Sequence, residues 1–212
     1  MFVVGVSGVA RSGKNLFCDM IAYELEQKGI STRQFALANE LKSDCLEFLK
    51  EKCGLDVWTS ETKDKSLFRD FLVWYGDLKR KQTNGRYWIN KMDEALAKST
   101  KSVALISDVR YDAYERDELS WVREERGGVV VHLRRYLSPN LSMINLHSME
   151  SRSYIEPPNE HERVNDPKMR EGADLRVEWP TVKFPWESKR THEITARIAD
   201  QIEERVRTYE YK

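Results

Sequence analysis

No charge of either sign prevails in this chain: 35 Lys and Arg stand against 35 Asp and Glu, a formal net charge of +0. Without a global field, long-range attraction to nucleic acid or to an anionic membrane is not expected, and any site for a polyanion must be local. Cysteine is scarce as well. Cys18, Cys45 and Cys53 are odd in number and lack metal-ligand spacing, which argues against a disulfide framework or a zinc site and for a reducing compartment. Nowhere does a run of roughly 18 apolar residues occur, the length that a membrane span needs. The apolar opening Met1 to Val6 is too short for the core of a signal peptide. A soluble, cytoplasmic protein with no membrane or nucleic-acid partner is therefore expected. Two catalytic signatures are missing too: there is no G-x-S-x-G nucleophile elbow and no G-x-G-x-x-G dinucleotide fingerprint.

What the chain does contain is an alternation of strands and helices. Its 212 residues suffice for one α/β domain with a real core and hardly for two, so residues 1–212 are read as a single domain. Phe2 to Val6 is short, apolar and β-branched, the pattern of a strand buried on both faces, and Ser102 to Ser107 and Val129 to Leu133 repeat it. Leu16, Phe17, Met20, Ile21 and Leu25 recur at helical spacing until Lys28-Gly29, and Thr32 to Leu37 has strand character. Glu40 to Lys52, Leu67 to Tyr75, Tyr87 to Lys98 and Asp117 to Arg126 read as helices. The repeated β-α-β order predicts a doubly wound parallel sheet flanked by helices, with residues 55–98 as a helical insertion. All six prolines fall between Arg134 and Pro185. Residues 134–185 are accordingly expected to form an irregular lid, with at most a short last strand at Leu175 to Val177, before a C-terminal helix spaced by Ile194, Ile198, Ile202 and Val206. His147 and His161, beside Glu160 and Glu162, read as solvated loop residues, and no histidine is assigned to a metal.

Gly8-Val9-Ala10-Arg11-Ser12-Gly13-Lys14 satisfies G-x-x-x-x-G-K directly after a strand and at the start of a helix, the setting that a phosphate-binding loop requires. Glycines allow successive N–H groups to point inward, the following helix adds its positive end, and Lys14 supplies a cation for the β- and γ-phosphates of a nucleotide. Ser7 and Ser12 can add hydroxyl donors. Asn15 stands where the general motif has Ser or Thr as the Mg²⁺ ligand, so its amide oxygen, or Asp108 through water, is the candidate metal ligand.

The strand at Ser102 to Ser107 runs into Asp108-Val109-Arg110, which puts a carboxylate and a guanidinium at the edge of the sheet where ligands bind in such folds. Asp108 would orient Mg²⁺ or its waters, and Arg110 would fork onto a phosphate. The insertion gathers Arg69, Trp74, Tyr75, Lys79, Arg80, Arg86, Tyr87 and Trp88. Interleaved bases and aromatics suit a flat, charged acceptor, with rings to stack on a base and guanidinium groups for its phosphate. Arg134 and Arg135 follow a buried strand and would reach the transferred phosphoryl group from the lid.

In this ordered set (SGVARSGKN, FALANELK, WYGDLKRKQTNGRYWINK, SDVRYDAYE and GGVVVHLRR) the chain resembles the bacteriophage-type deoxynucleoside monophosphate kinases of the P-loop nucleoside monophosphate kinase group. The resemblance spans about the first two thirds. It implies an adenylate-kinase-like sheet, ATP and Mg²⁺ as donor and cofactor, a deoxynucleoside monophosphate as acceptor, and, for a phage-encoded chain, the host cytoplasm. Carried over by position, Arg11, Ser12, Gly13, Lys14 and Asn15 would serve the phosphates, Asp108 and Arg110 the metal or acceptor, and Arg69, Tyr87 and Trp88 the acceptor pocket. Two positions depart from the family pattern: Leu16 replaces its Thr, and Tyr114 stands where an acid is usual, with Glu115 one residue later. A homodimer is left open, as are another small acceptor and a non-catalytic nucleotide-binding role.

Overall fold

A computed structural model of the chain describes residues 1–137 and 153–210. Five parallel strands form one sheet: β1 (Phe2–Ser7), β2 (Thr32–Phe35), β3 (Val103–Ile106), β4 (Val129–Leu137) and β5 (Leu175–Thr181), in the order β2-β3-β1-β4-β5. Apolar residues alternate across β1. Phe2, Val4 and Val6 face helices α1 (Lys14–Gln27) and α7 (Lys189–Glu210), while Val3 faces α4 (Arg86–Ala97) and the α5 turn (Glu118–Ser120), which continues as one π-helical turn, Trp121–Glu125. Both faces of the sheet are therefore covered, and each large apolar side chain so buried stabilises the fold by about 1.5–3 kcal/mol. Residues 55–98, the expected helical insertion, hold α3 (Thr62–Gln82) and α4, and α3 packs on α2 (Leu37–Cys53) around a smaller cluster of Cys45, Leu49, Val57 and Phe68.

The strand order fixes where a ligand can sit. β1 and β3 are neighbours, yet the loop after β1 leads to α1 on one face and the loop after β3 leads to α5 on the other. The two loops diverge and leave a crevice at the carboxyl ends of the strands. Continuing the pairing of Gly5 with Ile106 brings Asp108 level with Ser7.

The expectation of an irregular stretch over 134–185 is corrected. β4 runs on to Leu137, α6 spans Glu160–Gly172, and β5 extends to Thr181. Four of the five described prolines sit where the missing N–H costs little: Pro180 on edge strand β5, Pro185 at the start of a 3₁₀ turn, and Pro157 and Pro158 just before α6. Pro167 lies inside α6 and is the exception. Helix α6 starts on Asn159, whose side chain accepts the Glu162 N–H at 2.9 Å. His147 and Pro139 lie outside the described residues.

Candidate functional site

The loop from Gly8 to Lys14 is held in a conformation that few sequences tolerate. Gly8 has φ +131°, and a Cβ there would lie 2.3 Å from the Leu133 carbonyl oxygen of β4, so the loop packs against the strand at a distance only glycine permits. Gly13, φ +90°, caps α1, and Arg11 carries the unusual φ of +66°. These turns bend the chain around a concavity into which N–H groups can point. Ser7 and Ser12 are fully buried, and their hydroxyl oxygens have no hydrogen-bond partner among the described residues. Orphaned buried hydroxyls are costly unless a ligand uses them, and their place at this loop suits a phosphate.

Lys14 is folded onto its own loop, its Nζ donating to the Gly8 carbonyl at 2.7 Å and the Val9 carbonyl at 2.9 Å. Burial first, and then the Arg110 guanidinium, lower its pKa from 10.5 to about 8, against the pull of Glu162, Asp108 and Asp166. An incoming phosphate would restore full protonation.

Arg110 reaches the crevice from the loop after β3. Its guanidinium meets Glu162 Oε1 at 3.1 Å, and the other oxygen of that carboxylate accepts the Ala10 N–H at 2.6 Å. One carboxylate thus spans the phosphate loop and Arg110. Glu162, read from the sequence as a solvated residue, is the main correction at the site: its side chain is only 13% exposed, and it lies in the cradle.

Asp108 also has a use that the sequence did not reveal. Its two oxygens accept the Leu37 and Ala38 N–H groups, each at 2.8 Å, and so cap α2, whose own N-cap residue is Ala36. Burial raises its pKa, opposed by those two N–H donors. Each oxygen keeps a second acceptor direction. Asn15 is exposed in the first turn of α1. Among the described residues no cluster of three or more His, Cys, Asp or Glu side chains is poised for a metal.

The loop carrying Arg110 is pinned from beneath. Arg80 forks onto Asp117 at 2.8 and 3.0 Å, reaches Glu118 at 3.1 Å, and lies 3.6 Å from the centre of the Tyr111 ring. Glu118 accepts the Arg110 N–H at 2.6 Å and the Tyr111 N–H at 3.2 Å, while Asp117 accepts the N–H groups of Ala113 and Tyr114. Burial pushes Glu118 up to about 8, against the nearby Arg80. Arg80, grouped by sequence with phosphate-binding bases, is instead buried structure. The acidic pair that fixes the loop is Asp117-Glu118, beyond Tyr114 and Glu115.

Other expected residues are dispersed. Arg86 pairs with Glu125 at 2.7 Å, the Tyr87 hydroxyl donates to Asp44 at 2.7 Å, and Trp88 is buried with its Nε1 donating to the Gly76 carbonyl at 3.1 Å. These contacts tie α4 to the π-helical turn, to α2 and to α3, so Arg86 and Trp88 are not brought to the phosphate loop. Arg69 is exposed on α3. Arg11 projects outward, and its carbonyl accepts from Arg135 at 3.2 Å. Arg134 stacks on Tyr154 at 3.5 Å and lines a cleft of about 530 Å³ between β4 and α6 that reaches the loop at Val9, a size suited to a nucleotide. His132, bonded to Asp166 at 3.0 Å, also lines it and was not singled out by the sequence.

Fold and sequence together define a P-loop-type α/β domain whose glycine-rich loop lies at the carboxyl edge of a parallel sheet. No family model matches the chain, and no curated protein matches it. Among solved structures it is similar to a gluconokinase from Sinorhizobium meliloti 1021, with 17% identity, 94% of each chain covered and a TM-score of 0.37. Among the described residues, no helix is long and apolar enough to cross a membrane.

Proposed function

We propose that this chain is an ATP-dependent kinase that transfers the γ-phosphate to a deoxynucleoside monophosphate. The observation that carries the reading is the single carboxylate of Glu162 bridging Ala10 N and Arg110. A group of that size and charge fits between the phosphate loop and an arginine, which is where a phosphoryl group in transit would lie. A monophosphate acceptor is a dianion near neutral pH, because its second pKa is about 6, and needs no general base. Catalysis then consists of aligning two anions and neutralising the charge that spreads over the moving phosphoryl. Lys14 would follow the γ-phosphate, Arg110 would hold the acceptor phosphate, and Ser12 with the loop N–H groups would hold the β-phosphate. Asn15, and Asp108 through water, would hold Mg²⁺, which would supply neutralisation of phosphate charge. The choice of a deoxynucleotide rests on the family resemblance of the sequence.

A second reading has its own support. An alcohol acceptor would need a base, and Glu162 puts a carboxylate beside the cradle. A coupled ADP-release assay across the four deoxynucleoside monophosphates, the ribonucleotides, nucleosides and sugars separates the two. Turnover confined to monophosphates is the expected result. Turnover with hydroxyl acceptors alone, lost in Glu162→Gln, would replace the proposal by the second reading.

A further inference from the structure

The space between the phosphate loop and Arg110 is narrowed by the protein itself. With the first turns of α6 in place, the cavity bounded by Gly8, Val9, Arg110, Tyr111, Glu162 and Asp166 is about 30 Å³, room for one or two waters and too small for a phosphoryl group. Glu162 fills the remainder, taking the Ala10 N–H and the Arg110 guanidinium, and Lys14 is turned back onto the Gly8 and Val9 carbonyls. The Ala10 N–H, the Arg110 guanidinium and the Lys14 ammonium, three donors that a phosphate would use, are thus engaged within the chain, while the Ser7 and Ser12 hydroxyls are not.

We infer that Glu162 is an internal competitor of the nucleotide phosphate, and that the first turn of α6 is a gate that must withdraw before phosphate enters. The inference rests on the reading of the loop as a phosphate site and adds its regulation. A carboxylate and a phosphate cannot share these donors, because two anions a few ångströms apart in a half-buried site repel strongly. The gate is held from three sides. Asn159 caps its helix, His161 stands 3.5 Å from the Tyr111 hydroxyl and 3.7 Å from Asp77 of α3, and one turn on, Asp166 is bonded to His132 of β4. Withdrawal of Glu162 therefore loosens α6 from the insertion and from the Arg110 loop at once, so that entry of the donor nucleotide would open the acceptor side as well.

The test is calorimetric titration of the full chain with inorganic tripolyphosphate and with ATP, each with and without Mg²⁺. Glu162→Ala should tighten tripolyphosphate binding about tenfold, a change of about 1.4 kcal/mol. Glu162→Gln, which keeps the shape and one acceptor oxygen but lacks the charge, should tighten it about threefold and guards against a folding defect in the alanine variant. Equal or weaker affinity in both variants would overturn the gate, and so would a loss confined to the Mg²⁺ titrations, which would make Glu162 a metal ligand. Tightening without turnover of any monophosphate would leave the gate standing and remove the kinase reading. Turnover with unchanged affinity would remove the gate alone.

Discussion

Arg80 pins the loop after β3 and Arg110 is carried on it, and their surroundings assign them opposite work. The Arg80 side chain is 6% exposed and meets two carboxylates and the face of Tyr111. That of Arg110 is 42% exposed and is ion-paired with Glu162 of a helix across the site. A guanidinium has five donors. Arg80 is committed to the fold, whereas Arg110 keeps donors for a ligand once Glu162 leaves. Both residues look alike in the sequence, each a base close to aromatics and acids, so residue type alone does not separate a lock from a binding group. Burial and partner number do.

The largest effect expected from breaking this contrast is on stability. Arg80→Met should cost about 3–5 kcal/mol in urea unfolding, because it leaves Asp117 and Glu118 buried without their cation. Arg110→Met should change stability by less than about 1 kcal/mol. Equal losses in the two variants would erase the distinction. Next in size is the kinetic converse: Arg110→Met should raise the acceptor KM roughly tenfold to a hundredfold, the worth of lost charge-assisted hydrogen bonds, and leave the ATP KM nearly unchanged. A matching rise in both constants would show that Arg110 does not distinguish donor from acceptor.

Lys14 sharpens the comparison from the side of the phosphate loop. Folding lowers its pKa from 10.5 to about 8, so the unfolded chain binds this proton more tightly, and the contribution of Lys14 to stability rises with pH between about 8 and 10.5. Lys14→Met should therefore stabilise the chain at pH 7 by about 1–3 kcal/mol, a gain that shrinks toward pH 10.5. Destabilisation at pH 7 would contradict a strained, ligand-seeking ammonium. The smallest effect is calorimetric. ATP binding near pH 9 should take up as much as about one proton per chain, read from the dependence of the apparent enthalpy on the buffer, and Lys14→Met should show none.

The cradle was legible because its determinants are local. Gly8, Gly13 and Lys14 lie within seven residues, and a strand and a helix flank them by their own periodicity. The buried strands were legible for the same reason. Glu162 was hidden by distance: it meets Ala10 from 152 positions away, and nothing local distinguishes it from its solvated neighbours. Helix α6 did carry a signal, Asn159 followed three residues later by Glu162, a capping pattern. The surrounding prolines outweighed it, although most of them sit where a proline is tolerated. Asp108 was placed correctly at the sheet edge, but its bonds to Leu37 and Ala38 depend on how α2 docks. Trp88 was read as a ligand-stacking ring because the helical spacing of core and pocket aromatics is the same.

The most direct test follows the phosphate itself. Wild type and Lys14→Ala would each be given ATP labelled at the γ-phosphate, Mg²⁺ and the deoxynucleoside monophosphates, and the products separated. The account predicts label in a deoxynucleoside diphosphate, with kcat lowered at least about a thousandfold in the variant, as expected when a main electrostatic stabiliser of the transition state is removed. Equal kcat in the two proteins, or label that never leaves ATP while ATP is bound, would contradict it.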